Sequence, residues 1–436
     1  MTKDNGKDIE TIKDSNGVYR CKALVNIGLY PNYSFELGDI NGDGIKEMAV
    51  LTTDGSILRV FGIDGSLLLE RILGNHGCWG TPTIAFADLD EDGKEELIVP
   101  DGNMVIALDE HNDVVRKARV PASTVDDYGI AIPLIGVFKR GEDRVGICVA
   151  VAGGGVFAFD EDFRLLWSIK GLRKDFGHEF NISETSNYES IIAFSNVDNI
   201  RYTSAQTEGE LILVSSSGKI LLRKRVRDLI NDTHFDDVAI ADFTGDGKLE
   251  VLVEKGILMD LKGNVIWDVS ESLDHGQWIA YLPDPRGPGR LSFIAELWGY
   301  EGKSRMLDSK GRTLWTLGRH RHTRINQNLY PGCKVAPTRV HAIDWKSTGE
   351  YEIVLAEQIV PSRDFRKRDI VHRLKVFVFD PMGRLLAEIP FIDTRRSDFF
   401  YNGEVHSRAV DVDGDSSVEF VFPRQDGKVM IIGKVT

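Results

Sequence analysis

Residues 233–256, THFDDVAIADFTGDGKLEVLVEKG, place one histidine and two apolar runs around a carboxylate-rich turn that extends from Asp242 to Glu250. The turn returns as DINGDGIKE from Asp39, DLDEDGKEE from Asp88 and DVDGDSSVE from Asp411. Degraded copies stand at Asp284 (DPRGPGRL) and Asp344 (DWKSTGEYE). An apolar run leads into each copy and another follows, as in EMAVL, EELIVP, LEVLVE, YEIVLA and VEFVF. Unbroken runs of this kind suit strands buried on both faces.

A second repeat lies between these copies, a strand, a turn with Gly or Asp, and another strand. RVFGIDGSLLLERI, VFAFDEDFRLLWSI, LILVSSSGKILLRKRV and VFVFDPMGRLLAEI are examples, and they read as β-hairpins. Four strands per unit at such a period predict an all-β fold, a β-propeller. Seven hairpins are complete, and an eighth, EFVFPRQDGKVMIIGKVT, lacks its outer strand. GVYRCKALVNIG, Gly17 to Gly28, is a spare strand placed to complete it. The expectation is eight four-stranded blades closed by that N-terminal strand, or seven if one weak unit is an insertion. Closure in this way removes an exposed sheet edge. Residues 1–16 are then an N-terminal tail and 17–436 a single propeller domain.

The chain has 436 residues, 42% hydrophobic and 28% charged, which is ordinary for a globular protein. Its net charge of −14 argues against nucleic acid as a partner, since phosphate binding needs a basic face. No apolar run is long enough to span a membrane. The polar start MTKDNGKDIETIKDSNG has no apolar core of a signal peptide. The expectation is a cytoplasmic monomer, or an extracellular one if the N-terminus has been trimmed. Cys21, Cys78, Cys148 and Cys333 lie far apart without a CxxC pair, so they read as packed thiols.

The turn reads D-x-[DN]-x-D-G-x-x-[DE], and alternate side chains on a tight loop point inward. Asp39, Asn41 and Asp43 are therefore candidate ligands for a hard cation, as are Asp88, Asp90 and Asp92, and Asp242 with Asp246. An EF-hand needs Glu at the twelfth position, where Val50, Val99 and Val253 stand. Asp and Gly also make good turns with no metal. The pattern resembles the FG-GAP/VCBS repeats of propellers such as integrin α-subunits, and that resemblance implies bound calcium.

His76, His178, His234, His275, His341 and His406 all fall shortly before, or at the start of, the first strand of a blade. First strands line a propeller's channel, so residues from distant blades would meet around one axis. Clustered imidazoles suit general acid–base work and metal binding, although descent from one repeat would give the same spacing. From Ser309 to Ile343 there is no acidic residue, while Arg319, Arg321 and Arg324 centre a basic run there. Local positive charge on an acidic protein implies an anionic ligand. Trp79, Trp278, Trp298, Tyr300, Tyr330 and Tyr401 could stack on sugar rings.

These features suggest an acidic oligo- or polysaccharide cut by β-elimination. An Arg or a cation neutralises the uronate carboxylate, a His or Tyr takes the C5 proton, and an acid protonates the departing oxygen. Hydrolysis would instead want two opposed carboxylic acids, for which Glu179, Glu184, Asp236, Asp237, Asp274 and Glu296 are available. DHGQWIAYLPDPRGPGRLSFIAELWGY with its sequel SKGRTLWTL looks like the eight-bladed rhamnogalacturonan lyases, as does THFDDVAIADFTGDGKLEVLV. That resemblance implies calcium-assisted elimination at a galacturonate linked to rhamnose, with rhamnose–glucuronate and ulvan linkages equally compatible. It implies His275 and His234 as catalytic residues. His178 and His76 rest on their place in the blade, and Arg319, Arg321, Arg324, Trp278, Trp79, Tyr330, His341 and His406 are the substrate-binding candidates. A non-catalytic carbohydrate- or protein-binding propeller is the alternative. A quinone-dependent dehydrogenase fits less well, because its blades carry a regular Gly/Trp docking motif and the Trp residues here are irregular.

Overall fold

The computed structural model describes residues 12–435 apart from 29–33, 53–54, 75–82, 122–130, 143, 174, 178, 186–188, 198–208, 231–234, 236, 274–275, 297–303, 318–332, 338, 362–369, 396–406 and 425. Eight antiparallel sheets follow one another around a ring, a β-propeller with almost no helix. Blade 1 consists of Ser34–Gly38, Glu47–Leu51, Ile57–Phe61 and Leu67–Ile72, in that order from the centre outward. Blade 5 repeats the plan with Val238–Ala241, Glu250–Val253, Ile257–Asp260 and Val265–Asp268. Blades 4 and 7 each carry an additional inner strand, Asp175–Phe176 and Cys333–Pro337.

Burial follows the sequence pattern. The second strands Glu47–Leu51, Glu250–Val253 and Glu419–Pro423 are buried at every residue. Outer strands such as Leu67–Ile72 alternate toward solvent. Apolar clusters lie between neighbouring blades, so each sheet packs face to face with the next. Gly44, Gly93 and Gly247, at the sixth turn position, have φ of 84°, 88° and 83°, values that favour glycine. Blade 8 places Ser416 there at φ 66°.

The eighth sheet runs Arg408–Val410, Glu419–Pro423, Lys428–Lys434 and, outermost, the closing strand Tyr19–Asn26. The closing strand pairs Tyr19 with Lys434 and Asn26 with Lys428, which completes the ring as expected. Residues 12–16, read from sequence as part of a tail, fold back on it. The Asp14 carboxylate accepts the Tyr19 amide at 2.8 Å, and the Cys21 amide donates to Ile12 O at 2.9 Å.

Tryptophan docking is more regular than the sequence suggests. Trp167, Trp267 and Trp315 leave the outer strands of blades 3, 5 and 6 and cover Gly218, Gly311 and Gly383 in the next blade's hairpin turn. Their indole N–H groups donate to Ser216 O, Ser309 O and Pro381 O at 2.9, 3.3 and 3.0 Å. At other junctions a long cation reaches the same turn: Arg71 donates to Asn112 O at 2.8 Å and Lys224 to Gly263 O at 2.6 Å. The motif is hidden in the sequence because the junctions do not share one residue type.

Among the described residues no helix is long and apolar enough to cross a membrane. The face on which inner strands begin is called the upper face below, and the acidic turns lie on the lower face. Among the described residues blade 7 has the longest strands, Glu352–Pro361, Ile370–Phe379 and Leu385–Arg395.

Candidate functional site: acidic turns below, a charged channel above

Each acidic turn is first a self-contained hydrogen-bonded unit. Asp39 Oδ1 accepts the amides of Gly42 and Asp43 at 2.7 and 3.1 Å, and Oδ2 accepts that of Gly44 at 2.8 Å. Asp242 repeats this with Gly245, Asp246 and Gly247 at 2.7, 3.1 and 3.0 Å. The glutamate at the ninth position begins the second strand and reaches back to the amide of the second turn residue. Glu47 accepts from Ile40 at 3.0 Å, Glu96 from Leu89 at 2.9 Å, Glu250 from Phe243 at 2.7 Å and Glu419 from Val412 at 3.0 Å. Burial raises the Glu47 carboxyl to about 7 and also pushes up Glu96 and Glu419.

Three of these turns gather carboxylate oxygens within 4.8 Å of one another: Asp88, Asp90 and Glu96; Asp242, Asp246 and Glu250; Asp411, Asp413 and Glu419. The sets include the ninth-position glutamate, which the candidate list drawn from sequence left out although the repeat itself displays it. Asp92 is not among them; its Oδ1 accepts the Lys94 amide at 2.8 Å. Nor do Asp39, Asn41 and Asp43 form such a carboxylate set, and Asn41 Nδ2 donates to Glu47 at 3.0 Å. Blade 2 fits a hard cation, and its Asp88 Oδ1 is shielded from solvent with no hydrogen-bond donor. Blade 5 fits one once the exposed Lys248, whose Nζ lies 2.6 Å from Asp246, turns away.

The eighth-blade turn already holds a cation of the protein's own. Lys22, on the closing strand, places Nζ 3.0 Å from Asp413, 3.3 Å from Asp415 and 2.6 Å from the fully buried Glu419. Next to it, Lys434 Nζ lies 2.6 Å from Glu352, which also accepts the Tyr19 hydroxyl at 2.8 Å and the Trp345 indole at 2.6 Å. The seam of the ring is thus held by ammonium groups in the degraded and final copies of the acidic turn.

Inner strands from seven blades enclose a cavity of about 530 Å³ that is lined both by Arg339 and Ser407 at the upper end and by Glu95 of the blade 2 acidic turn. Its charged lining is Glu36, Glu95, Glu179, Arg339 and Arg408, with His341 and Ser407 beside them. Arg408 of blade 8 grips Glu36 of blade 1 with Nη2–Oε2 at 2.7 Å and Nε–Oε1 at 2.9 Å. Arg339 of blade 7 binds both oxygens of Glu179 of blade 4 in a two-pronged pair. These blades are not neighbours, so that pair crosses the channel. The guanidinium of Arg339 stacks over the Trp278 ring at 5.2 Å.

Asp237 of blade 5 stands behind this crossing pair, 2% exposed. Its Oδ2 accepts the Ile279 amide of blade 6 at 2.8 Å, its Oδ1 the Val238 amide at 2.9 Å, and it is hydrogen-bonded to Glu179. Burial and the Glu179 charge hold Asp237 well above the usual carboxylate range, and Arg339 keeps Glu179 below it. Burial and the nearby Arg339 and Arg408 hold His341 well below the usual imidazole range, so the ring is neutral. Its Nε2 lies 2.8 Å from Ser407 Oγ, whose proton goes to Arg339 O at 3.2 Å. Ser407 can then only accept from His341, which sets the Nε2–H tautomer.

Of the sequence candidates, His341 lines the cavity. Trp278 does not serve as an open stacking platform. It is 1% exposed inside the core between blades 6 and 7, where its ring supports Arg339. His76, His178, His234, His275, His406, Arg319, Arg321, Arg324, Trp79 and Tyr330 lie outside the described residues. Their chain neighbours Glu179, Asp237 and Ser407 are at the upper end of the channel. Glu184, offered for hydrolysis, is at the other end of its inner strand, 3.2 Å from Lys139. Sequence reasoning counted Arg339 in the basic run from Ser309 to Ile343 without singling it out, and missed Arg408 and Glu36, which only their position in inner strands marked.

Residues 37–99 match the FG-GAP-like repeat model, blade 1 through the second strand of blade 2. No curated protein sequence matches the chain. Among solved structures, an exotype rhamnogalacturonan lyase, YesX, is similar at TM-score 0.57 and 15% identity, over 97% of this chain and 74% of that one. BBS1N, solved in complex with ARL6DN, is similar at TM-score 0.50 and 10% identity, over 97% and 98%. The C-terminal WD40 domain of Sif2 is similar at TM-score 0.50 and 10% identity, over 95% and 99%. At these identities the likeness establishes the β-propeller fold, which lyases and non-enzymatic propellers share.

Proposed function

We propose that this protein is a polysaccharide lyase that cleaves an acidic glycan containing rhamnose and uronic acid by β-elimination on the upper face of the propeller. The observation that carries the reading is the convergence of inner strands from seven blades on one charged cavity. The histidine-bearing segments run directly into those strands. His275, His234, His178 and His76 are the acid–base candidates. Arg319, Arg321 and Arg324 would neutralise the uronate carboxylate, and His341, His406, Trp79 and Tyr330 would contact sugar. Calcium would occupy the turns of blades 2 and 5, where it would hold loops rather than react. The chain would act as a monomer, with residues 17–436 as one domain.

Hydrolysis by a pair of flanking carboxylates is the weaker option. Glu179 and Asp237 are hydrogen-bonded to one another, which leaves no room for a glycosidic bond between them. A non-catalytic binding propeller is favoured by one observation: Arg339 and Arg408 are both engaged by carboxylates, so they do not offer an unshared charge to a uronate. The deciding test is ultraviolet absorbance of the unsaturated uronate product, with rhamnogalacturonan, gum arabic and ulvan fragments as substrates, in calcium and in chelator. A rising signal on one of them establishes the lyase. A flat trace on all three, with binding detected, establishes the binding module.

A further inference from the structure

The carboxyl groups of Glu179 and Asp237 differ in what surrounds them. Glu179 lines the cavity and receives two guanidinium N–H groups from Arg339. Asp237 is shut away at 2% exposure and accepts two backbone amides, each oxygen taking one. A second charge at that depth, against the Glu179 carboxylate, would have to share Arg339, which already donates to both Glu179 oxygens. Two carboxylates in contact settle this by keeping one proton between them. Among the described residues the groups facing the pair are Arg339, which favours the anion at both carboxyls, Arg408, which favours it at Glu179, and Glu254, which opposes it at Asp237.

We infer that Glu179 and Asp237 share a single proton at the head of the channel, and that Glu179 is the member that passes it to a bound glycan. The step rests on the elimination proposed above. A base removes the C5 proton, the C5–H electrons form the C4=C5 bond, and the C4–O bond breaks. Asp237 first passes its proton to the Glu179 carboxylate, and Glu179 then gives it to the departing glycosidic oxygen. The pair is left doubly ionised until solvent returns a proton. Asp237 is a positioning and proton-holding residue here, while Glu179 is the group that meets the substrate. Separating two environments around adjacent carboxyls is a general way to keep an acid ready at neutral pH.

Two variants and one spectroscopic measurement test this. Glu179→Gln should lower the elimination rate by about a hundredfold or more, as loss of a general acid does. Asp237→Asn should shift the alkaline limb of the pH–rate profile to lower pH, which a purely structural residue would not do. Thermal melting identifies a variant that has not folded, and the other variant then carries the result. Infrared difference spectra between wild type and each folded variant read the proton directly, as a neutral-acid carbonyl band. They should be recorded above about pH 8, since Glu47 and Glu357 titrate near 7. No such band, or Glu179→Gln with near-normal rates, overturns the inference while leaving the lyase in place. Wild type that yields no unsaturated product overturns the reading of the reaction, and with it the delivery step; the band then reports only on the shared proton.

Discussion

The two faces of the ring solve the same problem, carboxylates near a sheet end, in opposite ways. On the lower face, away from the seam, the first aspartate and the ninth-position glutamate of a turn accept amides of that same turn, three to seven residues away. On the upper face the partners come from other blades: Glu36 with Arg408, Glu179 with Arg339, Asp237 with the Ile279 amide. Lower-face order is therefore a property of nine residues, and upper-face order is a property of the closed ring. A defect below should stay local, and one above should be felt across the channel.

The largest break in that comparison is Arg339→Ala. It leaves the mostly buried Glu179 without its counter-charge, and the expected loss is about 3–5 kcal/mol of unfolding free energy. Adding Glu179→Gln should recover part of it, so a double-mutant cycle by urea unfolding should show coupling between blades 4 and 7. Additive effects would mean that the crossing pair does not tie the ring together.

Calcium sharpens the contrast within the lower face. At a hundredfold excess over its dissociation constant a bound ion adds about 2.7 kcal/mol, so the melting temperature should rise with calcium. Asp88→Asn with Asp242→Asn should abolish the rise. Asp413→Asn should leave it unchanged, because Lys22 already neutralises that turn, and Lys22→Met should add one calcium to the number bound in a titration. An unchanged stoichiometry in Lys22→Met would show that the eighth turn is not a cation site in disguise.

Glu357 tests the cost of burial alone. It is 7% exposed, accepts the Lys375 amide at 2.9 Å, and burial raises it to about 7. With the folded value above the unfolded one near 4.5, its stabilising proton is fully present below about 4.5 and lost as pH rises through about 7. Glu357→Gln should flatten the stability profile across that window by about 1–2 kcal/mol in chemical denaturation. A profile as steep as wild type would assign the slope to other groups. Smallest of all, Glu250→Gln keeps a carbonyl for the Phe243 amide and should cost about 0.5–1.5 kcal/mol, additive with Glu96→Gln in blade 2.

What could be read in advance follows the same division. The acidic turn, the buried run after it and the hairpin beyond are all local patterns, so eight blades and the closing strand could be counted from one sequence. Placing Glu419 or Glu96 among the ligands needed only the ninth position of the repeat. Arg339 and Glu179 are far apart in the chain, and no spacing rule links them; the ring brings them together. Trp278 misled for a related reason. An aromatic residue beside a channel strand is equally suited to face a sugar or to support an arginine, and the choice depends on which side of that strand faces the next blade.

The closing strand has one further consequence, in the order of events during folding. Tyr19–Asn26 leaves the ribosome before the other strands of the ring, and its partner Lys428–Lys434 leaves after them. Seven blades can form while this strand has nowhere to go, and its apolar side chains stay uncovered until the final sheet exists. The rate of native ring formation should thus be set by this most distant of pairings. Lys22 and Tyr19, which find Glu419 and Glu352 only at that moment, act as the latch.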